Sequence, residues 1–298
     1  MQAALITRPG QPPSLADRDE PSGGVVVDVL AAPITPLDLL CAGGNSYFGV
    51  PATPYVPGVQ GVGTVGGRAV WFPTTAGMAP GDGSMAAKAV ARNEDLVFLP
   101  DGVDPVALAA LGLSAVAAHM ALTWRGELAP GETVIVLGAG AVGQAAIQLA
   151  RLAGAGRVVA AARSEKGRER AVRAGADTVV ALDADFSGIT ADLLLDPLFG
   201  APAAAAAQAL RPGGRWVNLG GSAGETCPIT SSVLRSRSLR LSGYTNNELT
   251  AQQRADAIST IARYSVQGEL AIDHEAVPLA DVTDAWHRHT NGRIVLVP

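Results

Sequence analysis

Thr133-Val-Ile-Val-Leu-Gly-Ala-Gly-Ala-Val-Gly143 is the stretch that decides how this chain reads. Four apolar residues, β-branched and leucine, lead from Val134 into Gly138-x-Gly140-x-x-Gly143, and a helical pattern, Gln144-Ala-Ala-Ile-Gln-Leu-Ala150, follows at once. Strand, tight turn, helix is the context that a dinucleotide-binding turn requires. Gly138 permits the sharp turn, Gly140 lets backbone approach a pyrophosphate, and Gly143 lets helix and strand pack closely. Ala141 and Val142 open the helix, where unpaired N–H groups and the positive end of the helix dipole face phosphate. These five residues are the first candidate cofactor contacts.

An acidic residue about twenty positions farther on would bind the ribose 2′-hydroxyl of NAD. The second strand, Arg157-Val-Val-Ala-Ala-Ala162, runs instead into Arg163 and Ser164. A guanidinium grips a phosphate through two parallel hydrogen bonds and has no such match in two neutral hydroxyls. Arg163, with Ser164 beside it, therefore predicts NADPH over NADH. Lys166, Arg168, Arg170 and Arg173 read as the solvated face of the next helix.

Outward from this turn the pattern repeats. Strands are expected at 133–137, 158–162, 178–182, 193–195, 215–219 and 239–241, and helices at 142–152, 165–174 and 203–210. Such alternation predicts an α/β fold with a doubly wound parallel sheet, whose ligands sit at the carboxyl ends of the strands. Gly220, Gly221 and Ser222, after the fifth strand, and Tyr244, after the last, are further candidate cofactor contacts, with Asn246 close by. The first hundred residues are β-rich and punctuated by proline and glycine. Asp104-Pro105 reads as a helix cap and first helical position. A helix is expected from 250 to 266 and another at 284–290. The terminal Arg293-Ile-Val-Leu-Val-Pro298 is an apolar strand that must pair, most simply with the N-terminal β-rich region. The cofactor domain, 108–246, then becomes an insertion in a domain made of 1–107 and 247–298.

Composition narrows the function. The chain has 298 residues, 48% hydrophobic and 16% charged, which suits globular domains with substantial cores. A net charge of −5 gives no electrostatic case for nucleic acid or an acidic membrane surface. Two cysteines, Cys41 and Cys227, make neither a disulfide framework nor a zinc cluster. The N-terminal residues lack the pattern of a secretory signal, so the cytoplasm is the expected location. The apolar run 106–122 reads as a buried helix and not as a membrane span.

Several motifs together resemble the medium-chain dehydrogenase/reductase superfamily, in its zinc-independent quinone oxidoreductase (zeta-crystallin-like) branch. They are Thr35-Pro-Leu-Asp38, Tyr55-Val-Pro-Gly-Val-Gln-Gly-Val-Gly63, Leu128-Ala-Pro-Gly-Glu-Thr-Val134, the glycine turn, Leu210-Arg-Pro-Gly-Gly-Arg215 and Gly292-Arg-Ile-Val-Leu-Val-Pro298. The resemblance covers almost the whole chain. It implies a Rossmann doubly wound sheet inserted in a GroES-like β-rich catalytic domain, with the active site in the cleft between them. It also implies a homodimer joined through the sheet edge near 239–243. The positions that match catalytic zinc ligands hold Thr35, Val59-Gln60 and Leu113, which suit zinc poorly, so no metal is expected. The implied activity is hydride transfer from NADPH to a small quinone or α,β-unsaturated carbonyl. Tyr47 is the candidate proton donor, and Thr35 a candidate hydrogen-bond donor to substrate oxygen. Asp38 reads as part of a helix cap.

This chain also departs from that branch. Thr35 replaces the usual Asn, and Ala117 replaces the Thr near the nicotinamide. Those changes keep open an NADPH-binding protein with little turnover, or a specialised biosynthetic reductase. His119 reads as packing. His287 and His289 stand two apart on an expected helix and so do not form a metal pair.

Overall fold

The computed structural model describes residues 1–288 and 292–298. It forms two compact units: Met1–Gly112 with Thr250–Gly268 and Ile272–Pro298, and Leu113–Leu249 with Glu269–Ala271. The first junction therefore lies inside a helix, five residues beyond the expected 107/108 boundary.

The second unit is built on six parallel strands: β1 (Thr133–Leu137), β2 (Arg157–Ala162), β3 (Thr178–Ala181), β4 (Ala191–Asp196), β5 (Leu210–Asn218) and β6 (Arg240–Gly243). Their spatial order is β3-β2-β1-β4-β5-β6, so direction of winding reverses between β1 and β4. This is the Rossmann doubly wound sheet, and its ligand crevice opens at that reversal. Residues 134–137 are buried without alternation, as strands covered on both faces must be. Helices α1 (Ala141–Leu152), α2 (Glu165–Arg173) and α3 (Gly200–Ala207) belong to this unit. Ala203, Ala206 and Ala207 of α3 share one core with Ile135, Leu194 and Trp216. Small side chains let that helix lie close to the sheet.

The first unit is β-rich, as the GroES-like expectation requires. Val25–Pro33 pairs antiparallel with Gln60–Val65, with Lys88–Ala91 and with Arg293–Val297. The C-terminal strand thus joins the N-terminal β region, with Val295 opposite Pro33 and Leu296 opposite Ala32. The core gathers Val27, Phe72, Trp286 and Leu296 from both ends of the sequence.

Several element boundaries differ from the sequence expectation. Helix α3 starts at Gly200, not 203, because Phe199 and Gly200 turn the chain with positive φ (56° and 69°). The expected helix at 284–290 is a short turn of helix, Val282–Ala285, and His289 and Thr290 lie outside the described residues. Pro105–Arg125 is long and apolar enough to cross a membrane by composition, and 61% of its most apolar window is buried within the protein. Asp104 caps its start, accepting from the N–H groups of Val106 (2.9 Å) and Ala107 (3.3 Å). The helix breaks at Gly112 (φ 25°, ψ −129°), where a Cβ would overlap the side-chain amide of Gln60.

Candidate functional site

The glycine turn has the geometry its spacing predicts. Gly138 has φ +79°, which favours glycine, and its N–H donates to Ala161 of β2 at 2.7 Å. A Cβ on Gly143 would overlap the carbonyl oxygen of Gly138, so α1 leans on the turn with no room for a side chain. Gly140 differs: nothing lies within 4 Å of where its Cβ would be. Gly140 is also the N-cap of α1, and no side chain caps it. The first N–H groups of this 12-residue helix therefore have no side-chain cap, beside a residue without a side chain. That concavity fits a pyrophosphate.

Arg163 and Ser164 follow β2 directly, and both are exposed. The Ser164 hydroxyl accepts from the Gly167 N–H at 3.1 Å, which caps α2. Arg168 is held by an ion pair to Glu165 and by a 3.1 Å hydrogen bond to the Arg163 carbonyl. The Arg163 guanidinium makes no ion pair or hydrogen bond among the described residues. It is a cation free to take a phosphate at the end of β2.

At the ends of β4 and β5 the chain is organised by Asp196, within the Leu195-Asp-Pro197 motif of the sequence. Asp196 is fully buried, and its Oδ1 accepts from the N–H groups of Leu198 (2.9 Å) and Phe199 (2.7 Å). Its Oδ2 accepts from Trp216 Nε1 at 2.9 Å and Asn218 Nδ2 at 3.3 Å. The loop bearing Gly220, Gly221 and Ser222 is tied to this point: Asn218 Nδ2 donates to Gly220 O (2.9 Å), and Ser222 Oγ to Pro197 O (3.2 Å). The sequence signal for Asp196 was its place at a strand end and in Leu195-Asp-Pro197, with no sign of its partners.

Tyr244 lies just past β6 and is 9% exposed. Its hydroxyl donates to Asn246 Oδ1 at 2.7 Å, and its ring meets Trp124 edge-on, with centroids 6.5 Å apart. The phenol thus serves a neighbouring side chain, while the residue as a whole stands at the carboxyl end of the sheet. His119 is half-buried, and burial pushes its pKa down, so the ring is neutral near neutral pH.

The two catalytic candidates, Thr35 and Tyr47, belong to the first unit. Thr35 is the N-cap of helix Pro36–Ala42, in a reciprocal capping box with Asp38. Its Oγ1 donates to Asp38 Oδ2 at 2.5 Å and accepts from the Asp38 N–H at 3.3 Å. The single hydroxyl hydrogen is thereby used in the helix cap. Asp38 is the centre of this region. It also accepts from the backbone of Thr35 (2.8 Å), Gly58 (3.1 Å) and Val59 (2.9 Å). Burial pushes its carboxyl above the ordinary range, while these hydrogen bonds and the charge of Arg293 pull the other way. Tyr47 is 79% exposed, its ring centroid 4.3 Å from that of Phe48.

The positions matching zinc ligands offer a poor donor set. The Thr35 hydroxyl is committed to Asp38, and Val59 and Leu113 are aliphatic. The Gln60 amide accepts from Trp71 Nε1 (2.9 Å) and donates to Ala109 O (3.5 Å). No group of three or more His, Cys, Asp or Glu converges among the described residues. Zinc takes thiolate, imidazole or carboxylate ligands, and these residues do not fit it.

Comparison with known proteins agrees with this architecture. Residues 141–263 match the zinc-binding dehydrogenase family. The mitochondrial enoyl-[acyl-carrier-protein] reductase of Rattus norvegicus is 30% identical over 289 residues, spanning 88% of this chain and 76% of that protein. The quinone oxidoreductase of Thermus thermophilus, solved also in complex with NADPH, superposes with a TM-score of 0.81 at 28% identity, covering all of both chains. A mycobacterial quinone oxidoreductase shares the fold with a TM-score of 0.89 at 22% identity, again over both whole chains. Sheet order, glycine turn and these similarities lead to one conclusion: the chain belongs to the medium-chain dehydrogenase/reductase superfamily, in its quinone oxidoreductase-like branch.

Proposed function

We propose that this protein is a zinc-independent, NADPH-dependent reductase of a small quinone or α,β-unsaturated carbonyl compound. The observation that carries this reading is the second unit's phosphate geometry: an open, uncapped helix start at Gly140 and an unpaired Arg163 at the end of β2. Gly138, Gly140, Ala141, Val142 and Gly143 would hold the pyrophosphate, and Arg163 with Ser164 the 2′-phosphate. The loop at Gly220, Gly221 and Ser222, with Tyr244, would border the nicotinamide half, since the dinucleotide lies across the reversal between β1 and β4. When bound, reduced nicotinamide supplies a hydride. The protein's part is to orient the acceptor and to deliver a proton to its oxygen. Tyr47 is the proposed donor of that proton. With Thr35 engaged in its cap and the zinc positions filled by non-ligands, no metal-activated step is invoked. The enoyl reductase relative extends the acceptor class to enoyl thioesters.

A second reading, an NADPH-binding protein with little turnover, is favoured by one observation. Tyr47 is largely exposed, and the other candidate donor, Thr35, is committed to Asp38. A homodimer formed by pairing the open edge of β6 with a second copy, and a cytoplasmic location, complete the proposal; Leu241 on that edge is 44% exposed.

The test is consumption of NADPH, with EDTA present, over quinones, enones and enoyl thioesters, with NADH in parallel. Turnover with NADPH alone supports the reductase. Silence across the panel with NADPH still bound supports the second reading. Arg163→Ala is expected to lower kcat/KM for NADPH by about ten- to a hundredfold, the worth of charge-assisted hydrogen bonds to phosphate, and to leave NADH unaffected. Equal losses with both cofactors would show that Arg163 does not read the 2′-phosphate.

A further inference from the structure

Beyond β6 the chain does not simply turn away. Asn246 reaches across 133 positions of sequence, and its Nδ2 donates to the carbonyl of Leu113 at 3.0 Å. Its Oδ1 is fixed by the Tyr244 hydroxyl at 2.7 Å. Leu113 is the residue at which the helix restarts after the break at Gly112. Leu113 and Ala117, four apart, share one helix face, and both are half-exposed although Ser114, Ala115, Val116 and Ala118 around them are buried. The helix ends in a π-turn, Ala121–Arg125. There Arg125 stacks on Trp124 (3.9 Å to the ring centroid) and pairs with Glu248 at 2.5 Å, so the same post-β6 segment grips the helix a second time. Two independent attachments therefore hold one half-exposed helix face beside the carboxyl end of the sheet. In a doubly wound sheet the nicotinamide half of a dinucleotide lies over the ends of β4, β5 and β6.

We propose that Asn246 is a positioning residue for the nicotinamide: oriented by Tyr244, it holds the Leu113 carbonyl and so fixes the Leu113–Ala117 face against which the ring packs. The inference rests on the dinucleotide reading of the glycine turn and adds to it a residue far from any phosphate contact. Asn246 acts through Leu113 and does not itself touch the reacting atoms.

The experiment compares two ligands that share the adenine half, NADPH and adenosine 2′,5′-bisphosphate, by calorimetry on the full chain. Asn246→Asp keeps the acceptor for Tyr244 and replaces the donor with an oxygen facing the Leu113 carbonyl. It is expected to weaken NADPH about five- to tenfold, the worth of one hydrogen bond, and to leave the bisphosphate unchanged. Tyr244→Phe removes only the orienting hydroxyl and should weaken NADPH about two- to threefold, again without effect on the bisphosphate. Loss of both ligands in equal measure, or of neither, in the two variants overturns the inference. Failure of the unaltered protein to bind either ligand overturns the dinucleotide reading and the inference with it.

Discussion

Gly143→Ala is expected to lose both stability and dinucleotide affinity, whereas Gly140→Ala, three residues earlier, is expected to lose affinity alone. The contrast follows from where each new methyl group would go. At Gly143 it overlaps the carbonyl oxygen of Gly138, which is backbone and sits in a turn already held at φ +79°. Relief requires that α1 move off the sheet, yet Ala145, Ala146 and Ile147 are fully buried behind it. Overpacking of a tight core costs about 1–3 kcal/mol, and a clash against fixed backbone belongs at the upper end. The displaced helix start would also spoil the N–H cradle, so NADPH affinity should fall at least about tenfold, as for loss of one or two hydrogen bonds to a charged group. Gly140 has φ −75°, which any residue adopts, and among the described residues nothing lies within 4 Å of its Cβ position. That methyl group would instead stand where backbone must approach the pyrophosphate. Thermal unfolding and NADPH titration of both variants decide the matter. A Gly140→Ala protein that binds NADPH like the parent would remove the turn from the binding site, and a Gly143→Ala protein of unchanged stability would contradict the packing argument.

The glycine turn was legible in sequence because each of its requirements is local: apolar strand, three glycines, helix start, all within one dozen residues. The position of Arg163 was legible for the same reason, since a strand end and the residue after it can be placed by counting. The C-terminal strand could be paired by a weaker argument, that an apolar run with no other partner must complete a sheet, and it does so against Ala32 and Pro33. What sequence could not show are the groups whose meaning lies in a distant partner. Asn246 could be placed beside Tyr244 at the ligand end of the sheet, but its bond to Leu113 could not be foreseen. Asp196 looks like a strand end until Trp216 and the Leu198–Phe199 backbone converge on it. The break at Gly112 was hidden because isolated glycine is tolerated in a helical pattern, and the positive φ and the Gln60 side chain that restrict this position appear only in the structure. The capping role of Thr35 was legible for a local reason. A hydroxyl at a former ligand position suggests a substrate contact, while its actual partner, Asp38, was visible three residues on and fits a capping box.

The Thr35–Asp38 network makes the largest stability prediction. Asp38 is 2% exposed and accepts four hydrogen bonds, two on each oxygen, from Thr35 N and Oγ1 and from the N–H groups of Gly58 and Val59. It thereby joins the start of one helix to the strand approach at 58–59. Asp38→Asn would put an amide N–H₂ against two donors. A buried donor left without its acceptor costs about 1–3 kcal/mol, so Asp38→Asn, which sets its N–H₂ against two such donors, should destabilise the first unit by about 2–5 kcal/mol. Thr35→Ala should cost only about 1 kcal/mol, the value of a helix cap, because Asp38 keeps its three backbone donors. Denaturant unfolding of the two variants, with NADPH turnover measured below the transition, separates structure from catalysis. A capping role for Thr35 requires that turnover in Thr35→Ala stay near the parent value. If turnover instead collapsed while stability moved by about 1 kcal/mol, the hydroxyl would have to leave Asp38 when substrate binds, and Thr35 would return to the active site.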